Sequence, residues 1–102
     1  MSSKNQIKLG MFLRPAGHHL AAWRHPNAQA DAGVSVERFI EVAKIAERGC
    51  FDMLFSADSA TASSVFDENG LRRMAYVAWI EPFTLLAALA TVTKNIGLVC
   101  TA

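Results

Sequence analysis

Residues 47–58 read ERGCFDMLFSAD and contain the end of a helix, a strand and the start of a polar loop. Gly49 suits the C′ position at which the preceding helix stops. Phe51–Phe55 is apolar apart from Asp52, which is typical of a parallel strand that is covered on both faces. We therefore predict an α/β protein built around a parallel sheet.

Two further strands flank this one at even intervals. Strand one covers Ile7–Phe12, strand two Phe51–Phe55 and strand three Ile96–Thr101, so that their starts lie 44 and 45 residues apart. Arg14-Pro15 ends strand one, because proline cannot donate to a sheet ladder. Two strand-loop-helix units of matching length predict parallel pairing, which needs a crossover between successive strands.

The segments between the strands predict two helices. Ser35 suits an N-cap, and residues 36–48 place apolar side chains at helical spacing. Pro82 suits the first turn of the second helix. Phe83–Val92 is apolar almost all round, which predicts burial on more than one side.

The connections differ in length according to their direction. The turns from helix to strand are short, Gly49-Cys50 and Lys94-Asn95, whereas residues 13–34 and 56–80 form long strand-to-helix loops. In parallel α/β folds the strand-to-helix loops line the carboxyl ends of the strands, where active sites are built. We therefore expect function in the long loops.

Composition narrows the class of protein. The chain has 102 residues, 52% of them hydrophobic, and a net charge of +1. This balance points to one small globular domain and away from nucleic acid or an anionic membrane as partner. The polar leader Met1–Gln6 and the shortness of the longest apolar run, Leu85–Ala90, predict neither a secretory signal nor a membrane span. A cytoplasmic protein is expected.

His18, His19 and His25 lie within eight residues of each other in the first long loop. Imidazoles so close together can bind a metal or act as acid-base groups. The nearest carboxylate, Asp31, has no recognisable metal-ligand spacing to them, so we predict no metal site. Hydrogen bonds that order the loop, or contacts to a ligand, are the favoured roles.

Polar residues follow two of the predicted strands. Asp58 comes just after strand two and Thr101 closes strand three, at the end where a barrel enzyme contacts its ligands. The alternatives are that Asp58 caps its own loop and that Thr101 is a plain β-branched strand residue. In the second long loop, Tyr76 and Trp79 would form an apolar wall for a substrate or pack on the rim of the sheet.

Four segments together resemble a known enzyme family. They are GHHLAAWRHP at residues 17–26, ERGCFDMLFSAD at 47–58, EPFTLLAALATVT at 81–93 and IGLV at 96–99. The chain resembles the start of the bacterial-luciferase-like flavin monooxygenases. Within that family it is most similar to the branch that contains the nitrilotriacetate, dibenzothiophene-sulfone and dimethyl-sulfide monooxygenases.

This resemblance implies a TIM (β/α)₈ barrel. Such a barrel needs ~250 residues, so residues 1–102 are expected to be a single partial domain. They would form the N-terminal β-α-β-α-β portion of the barrel. It implies a two-component enzyme that uses O2 and reduced FMN, supplied by a separate NAD(P)H-dependent flavin reductase. The substrate would be a small organic molecule, such as one containing sulfur or an amine. The resemblance makes Asp58 and Thr101 flavin contacts and places His18 beside the substrate pocket; it assigns no catalytic residue. Tyr76 and Trp79 are added to the pocket on their place in the second long loop alone.

Two other functions stay open at this point. A non-catalytic fragment would form a homo-oligomer, or pair with a complementary chain, through exposed strand edges and apolar helix surface. A small independent α/β domain would bind a nucleotide at the carboxyl ends of its strands, although the sequence has no Gly-rich phosphate loop.

Overall fold

The structure is a computed structural model that describes residues 5–58, 67–74 and 78–101. Tyr76 lies outside the described residues. The elements follow the predicted order, with two short additions in the loops. They are β1 (Gly10–Phe12), a 3₁₀ turn (Ala22–Arg24), α1 (Val36–Arg48), β2 (Met53–Ser56), α2 (Glu68–Leu71), α3 (Pro82–Ala90) and β3 (Gly97–Cys100).

The three strands form one parallel sheet in the order β1-β2-β3. Gly10, Met53 and Gly97 lie in one row of the register, and Phe12, Phe55 and Val99 lie in the row two residues further along. Because side chains alternate along a strand, these two rows share one side of the sheet, which we call the inner face.

The opposite side of the sheet packs against the helices. Leu54 is fully buried there, in a core that takes residues such as Phe39 and Ala43 from α1 and Leu85 and Leu89 from α3. The inner face has no such cover, since Met53 is 38% and Val99 42% exposed. Strand two was predicted to be covered on both faces. The structure covers its helix side and leaves its inner face partly exposed.

Gly10 and Gly97 flank Met53 on the inner face. A Cβ on Gly10 would come within 2.9 Å of Met53 Cε, the end of a flexible side chain that can move, and one on Gly97 would lie 3.2 Å from the carbonyl oxygen of Asp52. The backbone therefore approaches residue 97 closely, as a glycine within a strand suggests.

The strands are shorter than the sequence predicts. Ile7 is 83% exposed, and β1 begins at Gly10, because its partner β2 begins at Met53 and offers no ladder further upstream. The preceding residues are held instead by Asp52, whose carboxylate accepts a hydrogen bond from the Leu9 N–H at 2.8 Å.

Helix α1 begins as predicted, but its C′ position lies one residue later than predicted. The Ser35 hydroxyl oxygen accepts the Arg38 N–H at 3.3 Å, which confirms the N-cap. Gly49 is the C-cap with φ −76°, so its assignment to C′ is wrong, and Cys50 takes that position with φ 60°. Hydrogen bonds from Cys50 N to Glu47 O and from Phe51 N to Ala46 O complete a Schellman motif.

Helix α3 is buried on one side. Pro82 occupies the first turn, as predicted, and Glu81 caps the helix by accepting from the N–H groups of Phe83 and Thr84, each at 2.8 Å. Phe83 is 59% exposed, so burial on more than one side is not found in this chain. Within the described residues, no helix is long and apolar enough to cross a membrane.

Candidate functional site at the carboxyl edge of the sheet

The three strands end side by side, and hydrogen bonds extend their pairing by one residue. Leu13 N donates to Phe55 O at 2.8 Å, and Thr101 N donates to Ser56 O at 3.2 Å. We call this end of the sheet the carboxyl edge. The residues just beyond it, Arg14, Asp58 and Thr101, therefore share one region of the molecule.

The structure brings Asp58 and Thr101 into direct contact. The Asp58 N–H donates to Thr101 Oγ1 at 2.7 Å, and both residues are exposed. Because the threonine oxygen accepts this bond, its hydroxyl hydrogen is left to donate elsewhere. The backbone of Asp58 and the hydroxyl of Thr101 thus lie together at the carboxyl edge.

An aromatic cluster lies on the inner face at the carboxyl edge. The rings of Phe12 and Phe55 stack with centroids 5.3 Å apart, and the His18 ring lies 5.5 Å from that of Phe12. The Arg14 guanidinium carbon lies 4.8 Å from the ring centroids of both Phe12 and Trp79. Arg14 thereby links the first strand to the second long loop.

A cleft of about 30 Å³ opens beside this cluster. We call it the Arg14 cleft; it is lined by Leu13, Arg14, Pro15, Ala16, Phe39, Ser56, Ala57, Trp79 and Ile80. Trp79 thus forms a wall of a cleft, as one of its two predicted roles requires. His18 is not among the lining residues and lies exposed against Phe12.

The other two histidines order the first loop. His19 Nδ1 accepts the Ala21 N–H and His25 Nδ1 accepts the Asn27 N–H, each at 3.1 Å. Both rings therefore carry their proton on Nε2 when neutral. Across residues 5–58, 67–74 and 78–101, no three His, Cys, Asp or Glu side chains gather in a possible metal site.

Trp23 joins the two long loops. Its indole N–H donates to the carbonyl oxygen of Arg73 at 2.8 Å. A second cleft of about 280 Å³ lies between these loops and includes Trp23, Asp31 and Arg72 in its lining. Arg72 also forms an exposed ion pair with Glu68.

Comparison with known proteins identifies the family. The luciferase-like monooxygenase family matches residues 16–102. The chain belongs to this family. Luciferase-like members are flavin-dependent in general and fold as TIM barrels. The three parallel strands and their helices agree with the N-terminal part of such a barrel.

Individual relatives in the luciferase-like family are similar over nearly the whole chain. N-acetyl-S-(2-succino)cysteine monooxygenase of Bacillus subtilis is 54% identical over 99% of the chain. Nitrilotriacetate monooxygenase component A of Aminobacter aminovorans is 40% identical over 100% of it, and dimethyl-sulfide monooxygenase of Hyphomicrobium sulfonivorans is 36% identical over 97%. The chain spans 22%, 24% and 22% of the length of these three relatives.

Two residues that line the Arg14 cleft, Arg14 and Ser56, were not predicted as site residues from the sequence. Arg14 was interpreted as the end of strand one, and Ser56 as the start of a loop. Ser56 is 7% exposed and is the buried polar side chain among the described residues. The sequence did contain a signal for Arg14, because a charged residue directly after an apolar strand is expected at the carboxyl edge.

Proposed function

We propose that this chain contributes to a flavin-dependent monooxygenase that uses reduced FMN and O2 to oxygenate a small organic substrate. The observation that carries the proposal is the match to named monooxygenases across nearly the whole chain, at identities of 54%, 40% and 36%. Because the chain spans less than a quarter of their length, these residues would build one part of the flavin site and not all of it.

The residues at the carboxyl edge fit one side of a flavin site. A flavin is a planar ring system with polar atoms at its margin, and it needs an apolar wall with polar groups at the rim. Phe12, Phe55 and Val99 supply an apolar row on the inner face, and Asp58 and Thr101 supply a carboxylate and a hydroxyl beside it. We assign Asp58 and Thr101 to cofactor binding, and His18 and Trp79 to the substrate side.

The flavin, when bound, supplies the oxygen chemistry, and this chain's residues position it. The stacked Phe12–Phe55 pair would exclude water from one face of the ring system. Thr101 would donate a hydrogen bond to a polar atom at the flavin margin, and its contact with the Asp58 N–H holds the ends of β2 and β3 together.

A separate flavin reductase is the proposed partner. One relative is named component A of nitrilotriacetate monooxygenase, which indicates an enzyme of more than one component. We propose that reduced FMN reaches this protein from such a reductase. As substrate we propose a sulfur- or amine-containing compound, since relatives are named for a succinocysteine thioether, a sulfide and nitrilotriacetate.

Asp58→Ala tests the cofactor assignment. A hydrogen bond to a charged group stabilises by about 1.5–3 kcal/mol, so the variant should bind FMN tenfold to a hundredfold more weakly. Anaerobic titration of the chain with reduced FMN, followed by isothermal calorimetry, measures the dissociation constant.

Asp31→Ala is the matched control, because Asp31 is also an exposed aspartate but lines the second cleft and not the Arg14 cleft. It should leave FMN affinity unchanged. An Asp58→Ala chain that keeps its circular dichroism spectrum and its FMN affinity would remove Asp58 from the flavin site.

Self-association is the second candidate function. β1 and β3 are the edges of the three-stranded sheet, and the inner face between them exposes Met53 and Val99. Edge strands of this kind pair with other chains. A second copy is the proposed partner, because the inner face of one copy can cover the exposed Met53 and Val99 of the other.

A further inference from the structure

Trp23 is carried by a well-ordered part of the first long loop. It is the central residue of the 3₁₀ turn, and its side chain is half-buried. Hydrogen bonds close the backbone on both sides of it, because Ala22 N donates to His19 O at 2.9 Å and His25 N donates to Ala22 O at 3.1 Å. The indole of Trp23 therefore extends from a fixed point of the loop.

The second long loop has little packing of its own to hold it. Its helix α2 has four residues, and none of them is buried. A helix of one turn is not stable by itself, because nucleation fixes several residues for a single hydrogen bond. The ion pair between Arg72 and Glu68 is exposed and adds little stability. The place of α2 on the molecule therefore depends on contacts with other segments.

Two contacts with the first long loop supply that place. The Trp23 indole N–H donates to Arg73 O at 2.8 Å, just beyond the end of α2. A Cβ on Gly33 would lie 3.3 Å from Ala78 O, so the second loop returns against the first at this point. The cleft of about 280 Å³ lies between the two loops here. Trp79 follows Ala78 directly, so its position depends on where the second loop is docked.

We propose that Trp23 is a positioning residue that docks the second long loop on the first and so sets the position of Trp79. Trp79 is assigned to the substrate side of the flavin site, so the proposal deepens the proposed function and rests on it. Trp23 acts through Arg73 O. Without the indole N–H, the second loop undocks part of the time, and Trp79 moves away from Arg14, whose guanidinium carbon lies 4.8 Å from the Trp79 ring centroid.

The tryptophan content of the chain makes this displacement measurable, since Trp23 and Trp79 are its two tryptophans. Trp23→Phe leaves a single indole N–H signal in a ¹⁵N-edited NMR spectrum, that of Trp79. Losing a neutral hydrogen bond shifts a docking equilibrium by about fivefold. We expect the Trp79 signal to shift and broaden, and the NOEs between its ring and the Arg14 side chain to weaken. A bond that only adds stability leaves both unchanged in the folded chain.

Two further variants separate the hydrogen bond from packing and from the general order of the first loop. Benzothienylalanine at position 23 has sulfur in place of the indole N–H and keeps the shape of the ring, so it should displace Trp79 as Trp23→Phe does. His25→Ala is the matched control. It removes a hydrogen bond within the first loop, from the Asn27 N–H at 3.1 Å, and leaves the Trp23 donor intact. Its Trp79 signal and NOEs should be those of wild type.

A Trp23→Phe chain that has the circular dichroism spectrum of wild type and keeps the Trp79 signal and NOEs would overturn the proposal. Wild-type Trp79 signals in the benzothienylalanine chain would also overturn it, because the ring and not its N–H would then position the loop. An equal displacement of Trp79 in His25→Ala would do the same. All spectra are recorded without flavin, so a chain that binds no FMN refutes the proposed function and leaves the result on Trp23 intact.

Discussion

Cys50 has an unfavourable backbone conformation for its residue type. Its φ of 60° lies in the left-handed region, at the C′ position of the Schellman motif that ends α1. A side chain there costs about 1–2 kcal/mol, whereas glycine adopts the conformation without that cost. The position is also exposed, so the cysteine contributes little packing in return.

Cys50→Gly should therefore raise the free energy of unfolding by about 0.5–1 kcal/mol, after allowing for the larger entropy of an unfolded glycine. Urea denaturation followed by circular dichroism measures the change. Cys50→Ala is the control, since it removes the thiol but keeps the Cβ, and it should match wild type. Equal stability of the glycine and alanine variants would show that the left-handed backbone is not strained.

At the scale of elements, the Glu47 side chain ties α1 to the start of β3. One carboxylate oxygen accepts the N–H groups of Lys94 at 2.7 Å, Asn95 at 2.6 Å and Ile96 at 3.2 Å. The hydrogen bond from Asn95, followed by that from Lys94, lowers the pKa of Glu47 below its ordinary value of 4.5. A lowered pKa in the folded state means that the ionised carboxylate stabilises the fold.

This stabilisation is fully present above the unfolded pKa and is lost as the pH falls through the folded pKa. Glu47→Gln should lower the urea midpoint at neutral pH. The gap between the variant and wild type should narrow below about pH 4.5, where protonated Glu47 comes to resemble glutamine. Asp31→Asn should show no gap at either pH. A Glu47→Gln gap that stays constant down to about pH 3 would contradict a contribution from the ionised carboxylate.

Local rules predicted the elements well where one residue decides them. Ser35 and Pro82 start α1 and α3 as their side-chain chemistry requires. Glu81 was not foreseen as a cap, because glutamate is not among the usual N-cap residues. The start of β1 was misplaced because a strand begins where its neighbour can pair with it, and the sequence of Ile7–Phe12 does not contain that information.

At the scale of the whole molecule, topology predicted part of the site. Asp58 and Thr101 are 43 residues apart and were each predicted to follow a strand at the carboxyl edge; because β2 and β3 are neighbours, the two residues meet there in a hydrogen bond of 2.7 Å. The contact of Arg14 with Trp79 depends instead on how the second long loop folds back over the sheet. No spacing or periodicity predicts such a contact, so the Arg14 cleft was found from the structure.

The open inner face leads to an expectation about assembly. Val99 is 42% exposed on β3, an edge strand, and Met53 is 38% exposed beside it. If a second copy covers this surface, the purified chain should form a discrete oligomer, and light scattering on a sizing column should give its mass. Val99→Glu would place a charge in that interface without a partner and should shift the mass towards the monomer.

Ile45→Glu is the control for that variant. Ile45 is 49% exposed on α1, so it is a comparable apolar side chain outside the sheet edges. The proposal requires the Ile45→Glu chain to keep the wild-type mass while the Val99→Glu chain loses it. A monomeric wild-type chain, or an equal response of the two variants, would refute assembly through the inner face. Repeating the measurement with FMN links the two candidate functions, because a flavin that covers Phe55 and Val99 competes with a second copy for the same row of residues.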